Sequence, residues 1–375
     1  MRVYGNWRDL CRLPFGRSGG AGDNREVNTL RLAVDPGRLE TPEAAEALDR
    51  AAALLRAGGL VALPTETVYG LGANALDPVA VASIFAAKQR PAWDPIIVHI
   101  ASPEMLAPLV AKVPAAARLL MEAFWPGPLT LLLPRSAAVP DAVTAGRPLV
   151  GIRMPSHPVA LELIRRAGVP VAAPSANLFS RTSPTTAAHV LADLDGRIDA
   201  IVDAGPTNHG VESTVLDPCQ SPMVVYRPGA ITLEQIRATA GPAELFRPAG
   251  ELKETPREAL PSPGVGIRHY APRARLMLVE GPLEELSARL AESAAQFSGE
   301  RIGLMLPAEI AQPAGLAAAQ VFAWGRWQEP AELAHRLFAG LRALDGLGCT
   351  VILCPLPPAK GIGAAIADRL RKAAR

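Results

Sequence analysis

The feature that most constrains the fold is a pair of short apolar runs that bracket a helical segment. The runs 60–63 and 96–100 have the length and composition of buried strands. Between them, Asp77 and Pro78 supply an N-cap and a first-turn proline for a helix that runs out at Lys88. This unit predicts an open α/β sheet, in which ligands bind where the strands end.

Polar side chains cluster around these strand and helix ends. Thr65 and Thr67 follow the first strand, Lys88 and Arg90 finish near the helix end, and His99 lies inside the second apolar run. Two cations at a helix C-terminus usually face water and complement the helix dipole. A histidine in an apolar strand, however, needs a partner or a ligand. We therefore expect hydroxyls, cations and imidazole to meet at one sheet edge and to bind an anionic or zwitterionic ligand.

The same placement recurs further along the chain. Ser183-Pro184 reads as the N-cap of a helix that reaches Leu194, and the free N–H groups of such a helix would bind an anion. The candidate residues share positions at strand ends or helix starts: Thr65, Thr67, Lys88, Arg90, His99, Arg153, Ser175, Asn177, Ser183, Ser213 and Arg227. Cations and hydroxyls dominate, without paired carboxylates or a nucleophile beside a base, which disfavours glycosidase and covalent chemistry. Such a site would stabilise phosphate charge.

Length and composition bound the class of protein. A chain of 375 residues, 49% of them hydrophobic and 20% charged, predicts two globular domains. The sequence has no run of eighteen apolar residues, on the scale of a membrane span, and no secretory h-region, so we expect a cytoplasmic protein without a membrane partner. Four cysteines without a CxxC pair argue against structural zinc, and a net charge of +2 argues against a dedicated polyanion binder.

The chain divides into four segments. Residues 1–30 lack periodicity and predict a disordered extension, 31–247 form the first domain, and 248–274 form a proline-, glycine- and charge-rich linker. Residues 275–375 alternate strands and helices, which predicts a smaller doubly wound, Rossmann-like α/β domain. Gly361-Ile362-Gly363 lacks the third glycine of a dinucleotide loop and reads as a tight helix start.

Eight short motifs recur in order between Leu32 and the C-terminus: PTETVYGLGAN, KQRP, PIIVHI, WPGPLT, RMP, APSAN, GVEST and RPG. Together they resemble the YrdC-like family, and within it the two-domain threonylcarbamoyl-AMP synthases. Such an ordered series is far more specific than any single motif. The resemblance implies a YrdC-like open twisted sheet followed by the smaller domain.

The resemblance also implies a reaction and its partners. L-threonine, bicarbonate and ATP with Mg²⁺ would give threonylcarbamoyl-AMP and pyrophosphate. A downstream tRNA threonylcarbamoyl transferase complex would then use this intermediate to make threonylcarbamoyladenosine. Weak affinity for tRNA is a further expectation.

The resemblance assigns residues to two subsites and leaves no protein side chain as a metal ligand. Lys88, Arg90, His99 and Arg153 would be catalytic. The threonine subsite would contain Thr65, Thr67, His99, Arg153, Ala173 and Ser213. The nucleotide subsite would contain Lys88, Arg90, Asp94, Ser175, Asn177, Ser183, Arg227 and Tyr270.

Asp94 and Tyr270 each have two possible roles. Many relatives have asparagine where this chain has Asp94, and a carboxylate there would repel phosphates unless it is turned away or bound to magnesium. Tyr270 is expected to fold back as a lid that excludes water from the labile anhydride, and the alternative is a tyrosine packed between the domains.

Two rival functions are also compatible with parts of the sequence. An RNA-binding module should show a stripe of aromatic and basic residues, but only 5% of residues are aromatic and the arginines of the first domain occur singly. A carbamoyl transferase of the hydrogenase-maturation type would carry acylphosphatase and zinc-binding segments, which the sequence lacks.

Overall fold

The computed structural model describes residues 28–247, residue 262 and residues 269–375. Most of the predicted extension and of the linker therefore lies outside the described residues. The first domain begins slightly before the predicted boundary after residue 30. Leu30 already starts the first strand, and the buried Thr29 hydroxyl accepts a hydrogen bond from Gly196 N.

The first domain alternates short strands with helices. Its described helices are α1 (Pro42–Arg56), α2 (Pro78–Lys88), α3 (Ala115–Phe124), α4 (Asp141–Thr144), α5 (Pro158–Ala167), α6 (Ala187–Leu194) and α7 (Leu233–Ala240), with a 3-10 helix at Pro103–Leu106. Its described strands are β1 (Leu30–Ala33), β2 (Val61–Leu63), β3 (Gly70–Asn74), β4 (Ile97–His99), β5 (Leu129–Pro134), β6 (Leu149–Arg153), β7 (Val171–Ala172), β8 (Ala200–Asp203), β9 (Thr214–Asp217), β10 (Met223–Arg227) and β11 (Ala243–Leu245).

Local capping explains several helix starts. The Asp77 carboxylate accepts hydrogen bonds from the backbone of Val79 and Ala80, which fixes the start of α2. Thr232 and Gln235 form a capping box at the start of α7. The predicted start at Ser183-Pro184 is wrong: α6 begins at Ala187, with Thr186 as its N-cap, so the proposed anion site at a helix start near Ser183 does not exist.

The described strands of the first domain form one mixed sheet in the order β1-β8-β2-β3-β7-β4-β6-β5-β9-β10-β11. Strand β3 was not predicted, because its GLGAN sequence lacks the composition of a strand. A Cβ at Gly72 would lie 2.8 Å from Leu63 Cδ2 and 2.9 Å from Val171 Cγ1, so a larger residue between β2 and β7 would have to displace these side chains. Burial of β3 between neighbouring strands decides its conformation.

This insertion reverses strand direction across the centre of the sheet. Three successive antiparallel pairings, β2 with β3, β3 with β7 and β7 with β4, make β2 and β4 run in opposite directions. Strand β6 runs parallel to β4. The prediction that the ends of these strands meet at one sheet edge is therefore wrong, because β2 ends at one edge and β4 and β6 end at the other.

The second domain has β12 (Arg275–Val279), α8 (Leu283–Ala295), β13 (Ile302–Pro307), β14 (Gln320–Gly325), α9 (Pro330–Gly346), β15 (Val351–Pro355) and α10 (Gly363–Ala373). Its four described strands are all parallel, in the order β12-β15-β13-β14. The chain moves from β12 to β13 in one direction along the sheet and from β14 back to β15 in the other, so crossovers of the usual right-handed kind place α8 and α9 on opposite faces, as expected of a doubly wound domain. Strand β14 was not predicted.

The two domains pack closely against each other. Arg342 on α9 forms an ion pair with Asp193 at 2.7 Å, and the Phe338 ring stacks on Tyr270 with centroids 5.8 Å apart. Gly210 has a φ of +71°, and a Cβ there would lie 2.5 Å from the Ala334 carbonyl oxygen of α9. The backbones of the two domains thus touch at this glycine. None of the described helices is long and apolar enough to span a membrane.

Candidate active site

One cavity of the first domain collects most of the predicted site residues. All members of the predicted threonine subsite line it: Thr65, Thr67, His99, Arg153, Ala173 and Ser213. Of the predicted nucleotide subsite, Arg90, Ser175, Arg227 and Tyr270 line it, whereas Lys88, Asp94, Asn177 and Ser183 do not. The cavity encloses about 50 Å³, well below the 300 to 1,000 Å³ typical of small-molecule sites.

The cavity lies on a face of the sheet. His99 and Arg153 are register partners on β4 and β6, and Ala173 N bonds to the carbonyl oxygen of Ile97. Side chains directly opposite each other on neighbouring strands share a face, so Ile97, His99, Arg153 and Ala173 lie together. The loop after β2 reaches the same face, because Thr67 accepts a hydrogen bond from Arg153 at 3.0 Å.

Arg153 is the centre of a buried polar network. Its guanidinium forms an ion pair with Glu66 at 2.7 Å and donates to the carbonyl oxygen of Gly127 at 3.3 Å. The hydroxyls of Thr65 and Thr67 are 2.8 Å apart, and Thr65 also bonds to the backbone of Val68. Burial works to raise the pKa of Glu66, but the Arg153 guanidinium overcomes this effect and holds that pKa below its usual value.

His99 is a buried imidazole with a free ring nitrogen. Its Nδ1 has no hydrogen-bond partner among the described residues. Burial, followed by the nearby Arg153 charge, lowers the pKa of His99 to about 3, so the ring is neutral at physiological pH. A neutral imidazole with an unpartnered buried nitrogen is suited to hold a polar group of a ligand.

Arg90 lines the other end of the cavity and is paired with Asp94. The Arg90 Nη2 and Asp94 Oδ2 atoms lie 2.9 Å apart, and Arg90 also donates to the Pro95 carbonyl oxygen at 2.8 Å. The Asp94 carboxylate is therefore turned onto Arg90 and away from the cavity. Asp94 orients this cation, which removes the expected repulsion between its carboxylate and phosphates.

Lys88 supports a loop and does not reach the cavity. Its ammonium group is 1% exposed and donates to the carbonyl oxygens of Ser175 and Asn177. Burial, with Arg90 nearby, lowers the pKa of Lys88 well below its usual value. Lys88 thus fixes the APSAN loop, which presents Ser175 to the cavity.

Asn177 and Ser183 are likewise engaged within the protein. The Asn177 amide donates to the carbonyl oxygens of Leu178 and Arg181. The Ser183 hydroxyl donates to Glu212 Oε1 at 2.5 Å. Both side chains hold neighbouring loops together.

Arg227 and Ser213 form a second buried pair at the cavity wall. Arg227 Nε and Nη2 each lie 3.0 Å from Ser213, at its carbonyl oxygen and its hydroxyl. The Ser213 hydroxyl is also 2.8 Å from that of Thr130. These contacts lock the GVEST loop to the end of β10.

Three residues at the cavity were not named as site residues from the sequence. Glu66 and Glu212 line or support the cavity and each carries an arginine partner, and His269 lines it beside Tyr270. Glu66 lies in the motif PTETVYGLGAN, Glu212 lies in GVEST, and His269 directly precedes Tyr270 at the end of the linker. Their partners lie far away in sequence, so only the fold reveals what these residues contact.

Tyr270 covers the cavity, as expected of a lid, and also packs between the two domains. It lines the cavity, adopts a φ of +64° and is 1% exposed. Its ring stacks on Phe338, and the Arg369 guanidinium carbon lies 5.2 Å from the ring centroid. The end of the linker is thus held between both domains while it closes the cavity.

Comparisons with known proteins assign the family. A family model for Sua5, YciO and YrdC proteins, described as "Telomere recombination", matches residues 53–229, and the model "Threonylcarbamoyl-AMP synthase, C-terminal domain" matches residues 231–375. The sequence is 45% identical to the threonylcarbamoyl-AMP synthase of Pyrococcus abyssi over 86% of this chain and 92% of that protein. The chain belongs to the threonylcarbamoyl-AMP synthase family. The family predicted from the motifs is therefore confirmed.

Other relatives agree with this assignment to the threonylcarbamoyl-AMP synthase family. The family member from Bacillus subtilis is 47% identical over 87% of this chain and 92% of its own length. The crystal structure of P. abyssi Sua5 complexed with L-threonine matches with a TM-score of 0.82 and 42% identity, over 92% of this chain and 97% of that one. The predicted two-domain α/β fold is thus confirmed.

Proposed function

We propose that this chain catalyses the formation of L-threonylcarbamoyladenylate from L-threonine, bicarbonate and ATP, with release of pyrophosphate. The observation that carries the proposal is the convergence of the entire expected threonine subsite on one cavity. A relative of 42% identity whose crystal structure is a complex with L-threonine supports the choice of amino acid. The product would serve the synthesis of threonylcarbamoyladenosine in tRNA by a downstream transferase complex.

On the amino-acid side, Arg153 and His99 supply complementary groups. The Arg153 guanidinium would attract the threonine carboxylate, and its contacts with Glu66 and Thr67 hold it in one orientation. The neutral His99 ring, which lines the cavity, would hold a polar group of the amino acid. Ala173 and Ser213 complete the wall around the bound threonine.

The proposed reaction has two steps. The threonine amine adds to the carbon of bicarbonate, and loss of water gives a carbamate. A carbamate oxygen then attacks the α-phosphorus of ATP, and the bond to the pyrophosphate leaving group breaks. Because the carbamate is a modest nucleophile, its alignment with the phosphate supplies much of the rate enhancement.

On the nucleotide side, the cations of the cavity would neutralise phosphate charge. Arg90 and Arg227 both line the cavity, and Lys88 holds the loop that presents Ser175. Magnesium would arrive as part of the MgATP substrate. The described residues contain no cluster of three acidic, histidine or cysteine side chains able to hold a metal, and the acidic side chains nearest the cavity are paired with arginines.

The burial of these cations disfavours the RNA-binding alternative. Lys88, Arg90, Arg153 and Arg227 are each at most 8% exposed. A surface that binds the RNA backbone presents its cations to solvent, where phosphates can reach them. A small anionic ligand enclosed by the domain fits the observed burial better.

The cavity volume also bears on the reaction cycle. A space of about 50 Å³ is too small for MgATP and threonine together, so the wall formed by His269 and Tyr270 would move to admit them. Closure of this wall over the bound reactants would keep water from the mixed anhydride.

The proposal is tested by incubating the purified protein with MgATP, labelled bicarbonate and L-threonine. We expect pyrophosphate release that depends on threonine, together with incorporation of the label into an adenylate. Matched reactions contain L-serine or no amino acid. Pyrophosphate release that is independent of the amino acid, or an adenylate without label, would overturn the proposal.

A further inference from the structure

Arg369 is a buried cation of the second domain that reaches into the first domain. It lies on α10 and is 1% exposed. Its Nε donates to Glu212 Oε2 at 2.7 Å, and its Nη1 donates to the Pro228 carbonyl oxygen at 2.9 Å. Asp368 on the same helix accepts from Nη1 at 2.7 Å. The guanidinium is therefore fixed from both domains.

The two loops that Arg369 holds are the loops that carry the cavity residues Ser213 and Arg227. Glu212 directly precedes Ser213, and Pro228 directly follows Arg227. Arg227 in turn binds Ser213 through two hydrogen bonds. Arg369 thus ties together, from outside the first domain, two segments of the cavity wall.

Arg369 also neutralises a carboxylate at the cavity. Glu212 lines the cavity and is 6% exposed. Its Oε1 accepts a hydrogen bond from Ser183 at 2.5 Å, and its Oε2 accepts from Arg369. Without Arg369, the side chain of Glu212 would present an uncompensated buried charge beside the proposed triphosphate site.

We infer that Arg369 is a positioning residue for the proposed synthase reaction, supplied by the second domain, and that the nucleotide side of the cavity is complete only when that domain is docked. The inference rests on the proposed function. Arg369 acts through Glu212, whose charge it neutralises at the cavity, and through the segment that follows Arg227, which it holds at the Pro228 carbonyl oxygen. The second domain is then a part of the active site.

The test compares Arg369→Met with the double variant Glu212→Gln/Arg369→Met in the full-length chain. We expect Arg369→Met to raise the KM for ATP about thirtyfold or more, because it leaves one partner of a buried charge pair uncompensated. The KM for threonine should change much less. Glu212→Gln/Arg369→Met should recover most of the ATP affinity, because the harmful charge is gone.

Arg342→Met is the matched comparison, since Arg342 also joins the two domains by a mostly buried ion pair, with Asp193, and donates to the backbone of Thr182 and Ser183, but among the described residues it contacts no side chain that lines the cavity. The inference is overturned if Arg342→Met and Arg369→Met raise the KM for ATP equally and the double variant shows no recovery. Only domain docking would then matter. Arg369→Lys keeps the charge and guards against a failure of Arg369→Met to fold. A lysine variant with unchanged kinetics alongside recovery in the double variant supports the inference.

The inference and the proposed function fail in different ways. A wild-type protein that makes no adenylate contradicts the proposed function. An active wild-type protein whose KM for ATP is unaffected by Arg369→Met contradicts only the inference.

Discussion

Replacing Arg153 by methionine separates the structural task of this guanidinium from its proposed role in binding threonine. Arg153 and Glu66 form an ion pair at 2.7 Å, with each side chain 4% exposed. Removing one partner of a buried pair leaves the other charge uncompensated and costs about 3 to 5 kcal/mol of unfolding free energy. We therefore expect Arg153→Met to destabilise the protein by that amount and to impair the use of threonine.

The double variant Glu66→Gln/Arg153→Met resolves the two effects. Without the Glu66 charge, stability should return to within about 1 to 2 kcal/mol of the wild type. The KM for threonine should stay raised by about tenfold or more, because a charge-assisted contact with the carboxylate is lost. Urea unfolding followed by fluorescence gives the stability, and pyrophosphate release gives the KM values for threonine and ATP.

The control for this experiment is Arg289→Met. Arg289 and Glu285 also lie 2.7 Å apart, but both side chains are about half exposed. Loss of such a surface pair changes stability by less than about 1 kcal/mol. A double variant that recovers its threonine KM together with its stability would show that Arg153 only supports the fold, and would refute its proposed role.

Three further outcomes follow from the same geometry. Lys88→Met should lower stability by about 1 to 3 kcal/mol, measured by urea unfolding, since it leaves the buried Asn177 carbonyl oxygen without its donor and removes one of the two donors to the Ser175 carbonyl oxygen; an unchanged stability would contradict this. Tyr270→Ala should shorten the half-life of the adenylate on the enzyme, whereas Tyr270→Phe, which keeps the stacking on Phe338, should not, and equal half-lives in both would argue against a lid. The folded-state pKa of His99, about 3, lies below the ordinary value of 6.5, so the unfolded chain binds more protons and stability falls as the pH drops from about 6.5 towards 3. Between pH 6.5 and 5 the wild type should therefore lose about 1 to 2 kcal/mol more than His99→Gln, and parallel pH profiles of the two would contradict the burial of a neutral ring.

Local signals in the sequence predicted much of the secondary structure. The predicted strand runs 60–63 and 96–100 contain β2 and β4, and α2 spans Pro78–Lys88, from the predicted first-turn proline to the predicted end. The helix start at Ser183 was wrong because a serine before a proline is only one of several N-cap signals, and Thr186 three residues later prevails. Where two neighbouring N-cap signals are of similar strength, tertiary packing decides which residue begins the helix.

Long-range contacts account for what the sequence did not predict. The direction of β4 relative to β2 depends on β3, whose glycines fit a crowded position that no local pattern reveals. The motifs predicted residues that line one common cavity, although these residues meet on a sheet face and not at an edge. The partners of Glu66 and Glu212 lie 87 and 157 residues away, so their pairing with Arg153 and Arg369 follows only from the fold.

The contact at Gly210 limits which second domains this catalytic domain can accept. A Cβ at this position would meet the backbone of α9 at 2.5 Å, and a backbone cannot move aside as a flexible side chain can. In a chimaera built from two relatives, a side chain at this position would therefore force a shift of the α9 backbone or of the segment around residue 210. A replacement second domain has to preserve this close approach of the two backbones.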